Sequence, residues 1–332
     1  MRRLLAIVVC LPGVACHKDD ATPAAEGRHD FVNAWEDAGG KSSWVAQNLT
    51  GNWVAAKEPP AGAIRSFRFQ SSPARGWAEL PVPAEPFAID MSYASVTDFD
   101  LKDVGRFATL TSLNLNVTHY VSDDSLAEIA TLRRLTSLGL AKTAVTDAGM
   151  KQVATLTDLE SLHVSAAEIT DAGVNELGKL QKLKFLDLPY TGVTDAGMKA
   201  LAGLKDLRSL SVNSTRVTDA GLKHFAGHGQ LTGLHLMDTR VTDAGLKHLA
   251  GVKSLSVLYL THTKVTDAGL KNLAGLEQLR RLYLAETAVT DAAVKDLVAL
   301  TGLTVLDVSR TKITAAGVKE LQTMLPKTEI KH

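Results

Sequence analysis

A four-residue signature, V-T-D-A or a close variant, begins at Val145, Ile169, Val193, Val217, Val241, Val265, Val289 and Ile313, with every interval 24 residues. Val121 (VSDDSL) extends the series one step back at the same spacing, and Val96 (VTDFDL) lies 25 residues earlier. A fixed period of this length means one supersecondary unit stacked many times, each able to bury its apolar face only against its neighbours. A second motif, L-x-x-L-x-L-x-x-T, runs in the same phase. It reads Leu135-Leu138-Leu140-Thr143, Leu183-Leu186-Leu188-Thr191 and so on to Leu303-Leu306-Val308-Thr311. Earlier copies start at Leu110 and, degenerately, at Pro86, while Ile64, Phe67 and Phe69 predict a lead-in strand.

The chemistry of one unit follows from strand alternation. Leu258 and Leu260 point inward, whereas Val257, Tyr259 and Thr261 point outward. The recurrent threonine lies where the chain turns into the core, and its hydroxyl is suited to bonding a backbone group that is costly to bury unpaired. Thr242 or Asp243 is then placed to cap a short helix, 244–250. Gly245 recurs in the other units, and glycine inside a helix costs about 1 kcal/mol against alanine. Ala293 fills the same slot once, which points to tight inter-repeat packing as the reason rather than to positive φ.

These two motifs resemble the leucine-rich repeat family over about 240 of the 332 residues. The V-T-D-A-G-L segment is similar to the subclass with a helix in each repeat, known from F-box leucine-rich repeat proteins. Where that subclass has cysteine, this chain has Thr118, Thr143, Thr191, Thr215, Thr239, Thr263, Thr287 and Thr311, with Ala167 the exception. The resemblance implies an α/β solenoid, a horseshoe with parallel strands on the concave face and short helices on the convex face. It also implies protein–protein interaction. Ten or eleven strands would make an inner sheet about 50 Å long. Residues 29–85, which hold all four tryptophans, are expected to form an N-terminal cap, 86–325 the repeats, and 326–332 a C-terminal tail.

The chain begins with Arg2 and Arg3, a short apolar run from Leu4 to Leu11, and small residues before Cys16. This layout is that of a secretory signal, 1–15, and its end, LPGVAC, resembles a bacterial lipoprotein signal in which lipid is attached to the cysteine. Residues 16–28 read as a flexible tether reaching about 20 Å. By the same resemblance Cys16 is a membrane anchor, and His17 favours the outer membrane or cell surface. Cys10 and Cys16 are the only cysteines, which excludes a disulfide framework and a Cys-ligated zinc site in the repeats. No run of eighteen apolar residues exists, so no helix of the sequence spans a membrane. Lys plus Arg and Asp plus Glu both number 36, a balance that argues against nucleic-acid binding.

No catalytic or cofactor motif is present: neither H-E-x-x-H, G-x-S-x-G, a P-loop nor G-x-G-x-x-G occurs. The aspartate and lysine columns repeat seven times each, whereas an active site needs one special geometry. They read as helix caps and a solvated convex face. The chain is therefore expected to be no enzyme and to need no cofactor or metal.

The concave positions vary between units while the core repeats, as a binding surface on a rigid sheet requires. His235, Met237, Tyr259, Arg281 and Tyr283 gather in the C-terminal half, and Tyr and Arg are common interface anchors. Phe185 with Asp187 makes a smaller spot. The expected partner is a protein ligand on this face. Two rivals are a structural or adhesion module of the cell envelope without a single ligand, and an intracellular substrate receptor for ubiquitin ligation.

Overall fold

Leu258 and Leu260 are fully buried while Tyr259 between them is partly exposed, and the same alternation recurs in most repeats. The computed structural model describes residues 31–47, 53–56, 59 and 62–332. The leader, Cys16 and the tether lie outside the described residues.

The alternation builds a sheet of fourteen strands among the described residues. β1 (Lys41–Gln47) pairs antiparallel with β2 (Trp53–Ala56) and with β3 (Ile64–Arg68). Each later strand pairs in parallel with the one before: β4 (Phe87–Asp90), β5 (Leu110–Asn114), β6 (Ser137–Gly139), β7 (Ser161–His163), β8 (Phe185–Asp187), β9 (Ser209–Ser211), β10 (Gly233–His235), β11 (Val257–Tyr259), β12 (Arg281–Tyr283), β13 (Val305–Asp307) and β14 (Glu329–Lys331). From β5 to β13 leucine stays opposite leucine, as in Leu234–Leu258–Leu282, so a one-residue slip would expose the whole core column. The sheet runs one strand beyond the repeat pattern, because Glu329–Lys331 in the expected tail pairs with β13. The fold is a leucine-rich repeat solenoid.

Short helices return the chain behind the strands, for example Asp147–Val153, Asp171–Leu177 and Asp243–Leu249. Threonine, not aspartate, caps them: the Thr242 hydroxyl accepts from the Ala244 N–H at 3.2 Å. Asp243 reaches instead into the next repeat, where its carboxylate accepts from the Thr266 N–H at 2.8 Å and the Thr266 hydroxyl at 2.6 Å. The expectation of aspartates that cap their own helices on a solvated face is thus corrected, because each carboxylate staples two repeats, and those of Asp147 and Asp171 also accept from the Gly173 and Gly197 N–H in the next helix. The glycine slot has the same cause. A Cβ on Gly245 would lie 2.4 Å from Oδ1 of Asp219 and 3.0 Å from Leu222. In the unit with Ala293 the helix opens as a 3-10 turn, Asp291–Ala293. The core threonines bond within their own repeat, Thr263 donating to the Leu260 carbonyl at 2.6 Å.

The first repeats are closed by an aromatic plug. Trp35, in the helix 31–37, is fully buried between Phe67 (4.8 Å between ring centres), Phe87 and Phe107 (both 5.2 Å). Its indole N–H donates to the Pro81 carbonyl at 3.0 Å. At the other end the helix Ala315–Met324 covers the last core leucines. Ala315 stands where earlier repeats have the stapling aspartate.

Candidate functional site

Parallel register places the centre of every strand in one line across the concave face. His163 faces Asp187, Asp187 faces Ser211, Ser211 faces His235, and His235, Tyr259, Tyr283 and Asp307 follow in turn. Neighbours in this line are about 4.8 Å apart, which is close enough for rings to stack.

Three of the candidate residues do stack. The Tyr259 and Tyr283 rings lie 4.0 Å apart and within 3° of parallel, and His235 leans on Tyr259 at 4.5 Å. Burial, then the adjoining Tyr283 hydroxyl, push the Tyr259 phenol up to about 12, against the smaller pull of the Arg281 guanidinium. Burial also lowers the His235 imidazole, with Asp187 opposing weakly, so this ring favours its neutral form. Met237 flanks the stack. Its backbone N–H is held by the Asn213 side chain at 2.8 Å. Arg281 leads into the same strand as Tyr283 and is exposed.

Phe185 and Asp187 belong to a separate place. They line a hollow of about 140 Å³ with His163, Ser209, Ser211 and His235, left open because Ser211 is small. Phe185 is only 8% exposed and forms the floor of that hollow rather than a projecting anchor. Asp187 lies 3.8 Å from Nδ1 of His163. Only His235 belongs to both groups.

In the N-terminal half the face is small and polar, and its side chains serve the backbone. Asn114 accepts from the Asn116 N–H at 3.1 Å, and Asn116 accepts from the Ala141 N–H at 2.8 Å. Among the described residues no cluster of three or more histidine, cysteine or acidic side chains is placed to hold a metal ion.

Two features escaped the sequence. Ten non-glycine residues from Tyr93 to Arg310 turn the chain out of each strand at φ between 53° and 64°. The N–H of each from Tyr93 to Glu286 donates onward, as His262 does to Ala285 at 2.9 Å, which holds the left-handed turn in place. Glycine or asparagine would have signalled these turns, and neither recurs there. The second is His228, buried in a column otherwise held by Leu204, Val252 and Leu276. Its only signal was that break in the column.

A family profile described as Leucine Rich repeat matches residues 179–202, 253–274 and 300–321. No curated protein matches the chain in sequence. Among solved structures the chain is similar to an internalin (inlF) from Listeria monocytogenes, with 25% identity and a TM-score of 0.61, covering 74% of this chain and 66% of that one. It is also similar in fold to an internalin C2 of the same organism, with 24% identity and a TM-score of 0.50, covering 66% of this chain and 84% of the other. Leucine-rich repeat folds of this kind are generally non-catalytic protein-interaction modules.

Proposed function

We propose that the chain is a non-enzymatic, exported, lipid-anchored leucine-rich repeat protein that binds another protein through the C-terminal half of its concave face. The observation that carries this is the His235–Tyr259–Tyr283 stack, with centres 4.5 and 4.0 Å apart on a sheet whose register leaves the rings little freedom. Aromatic groups already ordered before binding lose little entropy when a partner covers them. Replacing Tyr259 and Tyr283 together by alanine weakens capture of the partner while the solenoid stays folded; unchanged capture moves the site elsewhere. Export and anchoring rest on the leader and Cys16. Cys16→Ser releases the protein from the membrane fraction, and continued association without an acyl label on the wild type removes that part of the proposal. A structural or adhesion role is favoured in the N-terminal half, where Asn114 and Asn116 are spent on the backbone.

A further inference from the structure

The proposed binding surface has an uneven supply of charge. From the end of β3 to β8 the charges of the concave face have partners. Arg68 meets Asp90 at 3.1 Å, Lys184 meets Glu160 at 2.7 Å, and Asp187 has His163 beside it. Along the trailing edge of the later strands they are paired again, Asp238 with His262 at 2.9 Å and Glu286 with Arg310 at 2.8 Å. The leading edge of β9 to β13 differs. Arg208, Arg280 and Arg281 stand there, and among the described residues none has a carboxylate within ion-pair distance. The Arg280 guanidinium bonds only to the Glu277 and Leu279 carbonyls and the Gln278 amide oxygen, and among the described residues the Arg281 guanidinium makes no hydrogen bond or ion pair.

Other groups beside them also donate. The backbone N–H of Thr261 and of Ala285, next to the tyrosine stack, finds no acceptor among the described residues. The equivalent N–H groups of Met237 and Ser309 are taken by Asn213 and Asp307. The carbonyls of Thr261 and Ala285 are already used, by the N–H groups of Asp238 and His262. In the central line of β9 to β13 the one acid is Asp307, at the far end. A surface with surplus donors and three guanidinium groups that lack a carboxylate partner needs a partner that brings acceptors and negative charge.

We infer that the partner lays an acidic polypeptide segment across β9 to β13, with an aspartate or glutamate on Arg281 beside the tyrosine stack. Arg208 lies three strand steps from Arg281, about 14 Å, so a second acidic group four or five residues along an extended segment meets it. A polypeptide fits better than a nucleic acid because the whole chain is electrically neutral and this face offers Arg208 and, three strands on, the adjacent Arg280 and Arg281, not a continuous phosphate-tracking strip. The inference rests on the binding role proposed above.

The test is selection of a displayed library of random linear peptides on the chain carrying its tether, in low and high salt. Captured peptides are expected to be enriched several-fold in Asp and Glu and to be released by salt. A synthetic captured peptide should bind Arg281→Glu at least roughly tenfold more weakly, and Arg281→Lys nearly as well as wild type. Arg281 is exposed, so both variants should melt like the wild type. Capture that depends on Tyr259 and Tyr283 but shows no acidic enrichment, or is indifferent to Arg281→Glu, overturns this inference and leaves the binding role standing. Preference for oligothymidylate over acidic peptides also overturns it. Absence of any capture dependent on the tyrosines overturns both.

Discussion

Both carboxylate oxygens of Asp195 are engaged by Thr218 in the following repeat, Oδ1 by its N–H at 2.8 Å and Oδ2 by its hydroxyl at 2.7 Å. The pair joins two helix starts that the sequence separates by 23 residues. Charge-assisted bonds of this kind are worth about 1.5–3 kcal/mol each. Asp195→Ala should therefore lower stability by roughly 2 kcal/mol or more in denaturant unfolding. Ala315→Asp, which introduces the same side chain where no stapled threonine follows, should change it by less than about 0.5 kcal/mol. Equal effects at the two sites would show that the column is only a solvated surface.

The glycine beside each staple reverses an ordinary preference. Alanine usually improves a helix over glycine by about 1 kcal/mol. At Gly221 its Cβ would meet Oδ1 of Asp195 at 2.6 Å and Met198 at 3.0 Å, so Gly221→Ala should lower the melting temperature. The double variant with Asp195→Ala should cost less than the sum of the two, since the clash partner is gone. Strict additivity would assign the glycine column another cause.

His228 is 1% exposed, stacks on Phe225 at 4.5 Å, and among the described residues has no hydrogen-bonded partner for either ring nitrogen. Burial, and then the Lys205 ammonium, hold its pKa below the ordinary 6.5, against weaker opposition from the Phe225 and Leu204 carbonyls. The unfolded chain binds the proton more readily, so this residue's contribution is intact above about pH 6.5 and is lost as pH falls towards its folded value. His228→Leu restores the column and should raise stability by about 1 kcal/mol at neutral pH, with a larger gain at pH 5. A gain independent of pH would mean the imidazole is not the group that matters.

How much of this was legible in the sequence depends on the range of the interaction. Leu258, Leu260 and Thr263 announced the repeat because their burial is decided by strand alternation and a turn, both local. The aspartates were visible as a column, yet their partners were not. A helix cap and an inter-repeat staple require the same residue type one position apart, and only three-dimensional stacking separates them. The outward turns at residues such as Lys142 and His262 carried no glycine to mark them, because a cross-repeat hydrogen bond rather than backbone freedom holds the left-handed conformation. Tyr259 and Tyr283 could be placed on one face from spacing alone. That they lie ring on ring, while Phe185 sinks into a floor two strands from His235, followed from side-chain packing.

Spectroscopic titration can follow the stack directly. One tyrosine should ionise near pH 12 in the wild type. Tyr283→Phe should move that midpoint partway back towards the ordinary 10, since burial remains when the hydroxyl is removed. Because the folded phenol holds its proton longer than the unfolded one, stability from this group falls as pH rises from 10 through about 12. A wild type in which every tyrosine titrates near 10 would mean that the rings are not packed together in solution.

Partner binding on the C-terminal concave face makes the two halves of that face differ in one experiment. Proximity labelling with the full-length protein compares Tyr259→Ala/Tyr283→Ala with Tyr93→Ala/Tyr120→Ala. The second pair alters two tyrosines that are 76% and 72% exposed near the N-terminal repeats. With equal melting temperatures, the first variant should lose the wild-type partner and the second should keep it. Retention of the partner by the first variant, or equal loss from both, would mean that the partner does not bind at the tyrosine stack.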